Sequence, residues 1–185
     1  MKARDCNHRM DFIESPLSGA YVVKPRRIED SRGYFARAWC CDEFTAQGLN
    51  PAMLQLNVGY SRVKGTLRGM HFQVPPHAEA KFVRCTRGAI YDVIVDLRPE
   101  SATRGRWFGL ELTADAGTML YAPEGFAHGY QTLEDETEMY YLTTARYAAA
   151  AARGVRYDDP AFGIVWPASV TVISEQDRAW PDFRP

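Results

Sequence analysis

His71 stands three residues after Arg68 and two before Gln73 in the run Lys64-Gly-Thr-Leu-Arg-Gly-Met-His-Phe-Gln73. An imidazole changes charge near neutral pH and is suited to taking a proton from a carbon beside a carbonyl. A guanidinium presents a fork of donors that matches phosphate oxygens. Three further polar groups lie in or beside apolar, strand-like sequence. They are Lys81 at the head of Lys81-Phe-Val-Arg-Cys85, His128 at the end of Pro123-Glu-Gly-Phe-Ala-His128, and the pair Tyr140-Tyr141. A lysine ammonium suits the enolate oxygen that appears when such a proton leaves. A phenol at Tyr141, aimed at the opposite face of that enolate, would return a proton there and invert the stereocentre. Each group alone has a plainer use: a lysine snorkels to water, a histidine ties loop carbonyls, a tyrosine packs with its hydroxyl tethered. Together they are an unusual concentration of polar chemistry for one β interior.

These residues need a β scaffold to hold them. Side chains on a strand alternate in facing, so Gly69, His71 and Gln73 are expected on one face and Arg68 on the other. Short apolar runs recur over 66–72, 81–86, 89–96, 106–112, 118–121, 129–132 and 138–143, separated by turn residues such as Gly88, Pro99, Gly117 and Gly125. Earlier strands are expected at 21–23, stopped by Pro25, at 34–39 and at 53–60. One short helix is expected over 42–48, capped by Asp42 and closed by Gly48, and a helix-prone spell over 147–152. Ser174 is a plausible N-cap for the last element, and 1–16 reads as a flexible, irregular arm. With almost no helical periodicity, the pattern implies an all-β sandwich or barrel, one domain over 1–185 with a few short peripheral helices.

A chain of 185 residues can bury a real core, and 46% hydrophobic with 24% charged residues is ordinary for a globular protein. The formal net charge of -1 gives no reason to expect nucleic acid or a membrane surface as partner. Lys2, Arg4, Asp5, Arg9, Asp11 and Glu14 interrupt the start, so no secretory signal is expected and the chain reads as cytoplasmic. The cysteines at 6, 40, 41 and 85 form no C-x-x-C, which argues against a zinc site or a disulfide framework. Cys40 and Cys85 are expected to fill the core.

The spacing resembles the metal-binding cupins, which read G-x5-H-x-H, then a glutamate six residues before a glycine, then P-x-G-x-x-H. Gly65-x5-His71 and Pro123-x-Gly125-x-x-His128 fit that pattern. Position 73, however, is Gln, and Lys81 stands six residues before Gly88 in the place of the glutamate. With those ligands lost and an ammonium repelling a divalent ion, no metal site is expected.

A closer resemblance is to the dTDP-4-dehydrorhamnose 3,5-epimerase family. It is carried by Leu67-Arg-Gly-Met-His-Phe-Gln73, Lys81-Phe-Val-Arg84, Pro123-Glu-Gly-Phe-Ala-His-Gly129, Glu138-Met-Tyr-Tyr-Leu-Thr-Thr144 and Tyr157-Asp-Asp-Pro160, and it runs from about Val22 to Asp177. The resemblance implies a jelly-roll cupin fold, with His71 as general base, Tyr141 as general acid and Asp177 orienting the base. It implies that Lys81 and Arg68 surround the sugar's C4 oxygen, with His128 and Gln73 as further pocket residues. Arg32 would contact the pyrophosphate, with Tyr34, Phe35 and Arg37 beside it, and Gln55 and Asn57 would read the nucleotide. The family needs no cofactor and forms homodimers that exchange N-terminal strands, so Arg32 would serve the neighbour's site. The implied activity is inversion of C3 and C5 of a dTDP-linked 4-keto-6-deoxy-hexose.

The chain departs from the family at Arg37, usually glutamate, at Leu56, usually an acid, at Leu142, commonly lysine, and at Arg146, often aromatic. Alanines also fill 148–152. The acids lost on the nucleotide side have two readings, a changed base or sugar and neutral surface changes. A C3-only epimerase, a ketoisomerase on a related sugar, a nucleotide-sugar-binding cupin without turnover and a metal-dependent oxygenase remain alternatives.

Overall fold

The structure, a computed structural model, describes residues 9–184. The all-β expectation is met: two antiparallel sheets face one another in a jelly-roll-like, cupin-type sandwich. The first sheet runs in the order β1 (Met10–Glu14), β2 (Tyr21–Pro25), β10 (Met119–Ala122), β7 (Lys81–Arg87), β12 (Thr137–Thr143) and β5 (Gln55–Ser61). The second runs β13 (Ala152–Gly154), β6 (Leu67–Gln73), β11 (Phe126–Thr132), β8 (Ala89–Asp96) and β9 (Trp107–Thr113). A separate hairpin pairs β3 (Arg27–Asp30) with β4 (Gly33–Ala36). The helices are α1 (Cys41–Ala46) and α2 (Glu175–Arg178).

Between the sheets, Val83, Ile90, Ile94, Leu112, Leu120 and Met139 form the main core, with Cys85 among them. The opposite faces are also covered. Phe44 of α1 packs on Phe82, Met119 and Tyr121 outside the first sheet, with Cys40 at its margin. Val155 and Phe162 from the C-terminal segment pack on Met70, Val93 and Val95 outside the second. Double cover explains why β8 is apolar on both faces rather than alternating.

Four expectations are corrected. Met10–Glu14 form β1, paired with β2, where an irregular arm is expected; residues 1–8 lie outside the described part of the chain. Asp42 lies inside the first turn of α1, whose N-cap is Cys40. The alanine run at 147–152 makes a turn rather than a helix, because its end must pair as β13 with β6. The regular alternation expected along β6 fails as well. The ladder with β11 pairs His128 with His71 but Tyr130 with Arg68, so two steps on β11 oppose three on β6. The extra residue of this bulge returns Arg68 to the face that carries His71. Gly69 makes the bulge possible: its φ is +140°, and a Cβ there would stand 2.5 Å from Gly129 Cα.

Candidate active site

The sandwich opens on a hollow of about 220 Å³ lined by Val58, Gly59, Arg68, His71, Lys81, His128, Tyr130 and Tyr141. Strand pairing puts the polar members there. His71 and His128 are direct cross-strand partners, and Tyr141 sits between Val83 and Asn57 on the inner face of the first sheet. Lys81 shares that inner face with the core residues Val83 and Cys85 at alternate positions. A second hollow of about 380 Å³ shares Arg68 and His71 and is walled by Val172, Ile173, Ser174, Gln176 and Asp177, so His71 stands where the two meet.

His71 is held from behind. Its Nε2 lies 2.6 Å from Oδ1 of Asp177, whose Oδ2 accepts the Gly69 N–H at 3.2 Å. Asp177 is presented by α2, where the Ser174 hydroxyl accepts the Asp177 N–H as expected of an N-cap. Burial works to raise the Asp177 pKa, but the hydrogen bond and charge of His71 and the Gly69 N–H outweigh it and hold the carboxylate below its ordinary range. The other ring nitrogen, Nδ1, is then left for the hollow. Trp180 closes on the imidazole with a ring separation of 6.3 Å.

Lys81 is buried, and its Nζ donates to the His71 carbonyl at 3.0 Å and lies 3.3 Å from Oε1 of Glu79. Burial pushes its pKa down, while the charge and hydrogen bond of Glu79, and the charge of Asp92, pull it back up. Burial also raises the Tyr141 pKa, with the charge of Glu79 adding to the rise and that of Arg68 opposing it, so the phenol keeps its proton. His128 mirrors His71, with Nε2 2.7 Å from Oδ1 of the buried Asp92. Arg68 reaches the Tyr60 carbonyl at 3.1 Å.

His71, Lys81, Tyr141, Arg68 and His128 therefore converge on one hollow, with Asp177 behind the base. Other expected site residues do not line it. Gln73 spends its amide internally: it donates to the His77 carbonyl, Glu79 and the Arg146 carbonyl and accepts from the Ala148 N–H, so it braces Glu79 instead of meeting a ligand. Gln55 accepts the Tyr147 N–H at 2.5 Å, and Asn57 lies directly across from Tyr141. Arg37 pairs with Glu43 of α1 at 2.9 Å in a different hollow. Arg32, Tyr34 and Phe35 line a separate hollow of about 260 Å³ on the β3–β4 hairpin, where Arg32 pairs with Asp30 at 2.5 Å. Sequence reasoning missed Glu79, Asp92, Tyr130 and Trp180. The signal for Asp92 was an acid in the middle of the apolar run Ile90-Tyr-Asp-Val-Ile-Val95, a position a carboxylate occupies only with a partner.

With that geometry in place, comparison with known proteins is decisive. The family model for dTDP-4-dehydrorhamnose 3,5-epimerase matches residues 14–185. The chain belongs to this family. A dTDP-4-dehydrorhamnose 3,5-epimerase of Sinorhizobium fredii is 42% identical over 175 residues, covering 94% of this chain and 90% of its own length. The crystal structure of the Elizabethkingia anophelis enzyme of the same name superposes with a TM-score of 0.92 at 36% identity, covering 95% of this chain and 97% of that one. The Bacillus anthracis enzyme, solved with TDP and PPi bound, superposes with a TM-score of 0.91 at 38% identity, covering 95% of this chain and 100% of that one.

Proposed function

We propose that the protein is an isomerase that inverts C3 and C5 of a dTDP-linked 4-keto-6-deoxy-hexose, in a reaction of the dTDP-4-dehydro-6-deoxyglucose to dTDP-4-dehydrorhamnose type. The observation that carries this reading is the convergence of a carboxylate-backed imidazole, a buried ammonium and a protonated phenol on one small hollow. C3 and C5 both flank the C4 ketone, so one base can serve both. His71 Nδ1 takes the proton from carbon, and Asp177 stabilises the imidazolium that results. Lys81, with Arg68, holds the oxygen on which the enolate charge gathers. Tyr141 gives a proton to the same carbon from the opposite face. His128, with Nε2 committed to Asp92, turns its other nitrogen to a sugar hydroxyl. Protons leave and return with no net redox change, so the chemistry calls for no cofactor.

We further propose a homodimer with exchanged N-terminal strands. β5 lies at the edge of its sheet and exposes Leu56, Val58 and Tyr60 on its outer face. Such an apolar edge suits pairing with a second copy. In the dimer, Arg32 on the exposed β3–β4 hairpin would reach the partner's pyrophosphate. A nucleotide-linked sugar is a cytoplasmic metabolite, and this reading puts the enzyme in that compartment. Among the described residues, no helix is long and apolar enough to cross a membrane.

Proton NMR of dTDP-4-keto-6-deoxyglucose with the protein in heavy water tests the activity. Loss of both the C3 and C5 signals with new ring couplings is expected, and His71→Ala should abolish the exchange. Loss of C3 alone would make the protein a single epimerase. No exchange with the wild-type protein, or wild-type turnover by His71→Ala, would overturn the assignment.

A further inference from the structure

One hydroxyl in the hollow has no task in the scheme above. Tyr130 lies on β11 two residues past His128, directly across from Arg68 on β6. Its ring packs in the main core, it is only 5% exposed, and it lines the same hollow as His71 and Tyr141. Its oxygen is buried with no hydrogen-bond partner among the protein's own groups. Ser61, also on β5, stands close enough to act on the phenol and pull its pKa down, but its Oγ accepts from the Arg68 Nε at 3.5 Å and the two hydroxyls do not meet in ordinary hydrogen-bond geometry. On the facing strand stands Gly59, where a Cβ would lie 2.9 Å from the Tyr130 oxygen. At Gly59, β5 thus leaves space for this hydroxyl and offers it no side chain to bond.

A buried hydroxyl without a partner costs stability, and few are kept without a reason. Phenylalanine would fill the same core volume without that cost. Burial keeps the phenol protonated, with the charge of Arg68 pulling only partly the other way, so the group is available as a donor. We propose that Tyr130 is a substrate-binding residue whose hydroxyl bonds an oxygen of the hexose ring and restricts the hollow to sugars that carry it. This rests on the epimerase reading of the hollow. A site built to bond a substrate hydroxyl discriminates strongly against ligands that cannot complete the bond, because the buried polar group is then left unpaired.

Tyr130→Phe removes one oxygen and keeps the ring. Three quantities are compared with wild type: kcat and KM for dTDP-4-keto-6-deoxyglucose, the Kd of dTDP alone, and the melting temperature. The expected result is a fall of about tenfold or more in kcat/KM, with dTDP binding unchanged and the melting temperature the same or higher. An unchanged kcat/KM overturns the proposal. So does a lower melting temperature, which would mean that the hydroxyl is bonded inside the protein, for instance through water to Asp92 Oδ2, itself unpaired. Weaker dTDP binding overturns it too, since the hydroxyl would then act on the shape of the site and not on the sugar. Absence of wild-type turnover would remove the epimerase reading as well, whereas equal turnover by both proteins removes only the role of Tyr130.

Discussion

Asp177→Asn keeps the shape of the site and changes one charge. The two oxygens of Asp177 serve as separate acceptors, Oδ1 for Nε2 of His71 at 2.6 Å and Oδ2 for the Gly69 N–H at 3.2 Å. An asparagine has one acceptor oxygen and two N–H donors. If that oxygen stays with Gly69, the amide donates to Nε2, the imidazole proton moves to Nδ1, and no lone pair faces the sugar. If it stays with His71, two buried donors oppose each other at Gly69. The lost charge adds to this. An imidazolium and a carboxylate with charge centres about 4 Å apart attract by about 4 kcal/mol at an effective dielectric of 20. The His71 side chain is 44% exposed, so solvent removes roughly half of that. About 2 kcal/mol remains, present only once the base has taken its proton, which is about 30-fold in kcat. With the tautomer change included, the expected loss is on the order of 10² to 10³. The assay is the initial rate of deuterium incorporation at C3 and C5 in heavy water, with a thermal melt to show that the fold is kept. A folded Asp177→Asn protein exchanging within threefold of wild type would refute the reasoning.

Glu79→Gln should move the alkaline limb of the pH–rate profile to lower pH. Glu79 is what pulls the pKa of buried Lys81 back up, and it also pushes that of Tyr141 up, so both groups lose their protons earlier without it; an unmoved limb would contradict this. Asp96→Asn should cost about 2 kcal/mol at neutral pH in urea unfolding. Burial opposes the charge of Asp96, but Arg98, Ser101 and Thr103 hold its pKa to about 2, below the unfolded value, so its contribution is full above that value and fades as pH falls towards about 2. The variant should therefore show a shallower acid decline, and an identical decline would dismiss the assignment. Gly69→Ala should lose about 2 kcal/mol or more of stability and most activity, because its Cβ meets Gly129 and the bulge that joins Arg68 to His71 cannot form. A stable, active Gly69→Ala enzyme would show that the bulge is dispensable. Tyr141→Phe should retain some proton exchange while losing inversion, read from the ring couplings of the product.

The sequence made most of the strands and the reactive residues legible for one physical reason. Lys81, His128 and Tyr141 are polar residues at inward positions of otherwise apolar strands, and a residue that breaks the pattern at such a position needs a partner or a ligand. What stayed hidden depended on contacts between distant segments. Alternation alone separated Arg68 from His71, and only the register against β11 shows the bulge that reunites them. The alanine run at 147–152 has high helix propensity, yet pairing of Ala152–Gly154 with β6 overrides it. Gln73 looked like a ligand residue because it shares a face with His71, but its amide is fully used by the chain segments at 77–79 and 146–148.

The same distant contacts explain how a pocket this polar is kept in a β interior. Three of the active-site groups are each paired with a carboxylate: His71 with Asp177, His128 with Asp92, Lys81 with Glu79. Unpaired, each charge would be too costly to bury and would shed or gain its proton instead. Paired, each keeps one committed contact and turns its remaining capacity to the hollow. The partners therefore set more than stability. In the proposed reaction, Asp177 decides which imidazole nitrogen is basic, Asp92 decides which nitrogen of His128 faces the hollow, and Glu79 opposes the pull of burial on the Lys81 proton. The committed contact differs in kind, however. The aspartates bond the far ring nitrogens, whereas Glu79 approaches the same Nζ that must meet the enolate. In the proposed reaction, Glu79 and the enolate would compete for one ammonium, and Arg68, which lines the same hollow, would supply a second donor to the substrate.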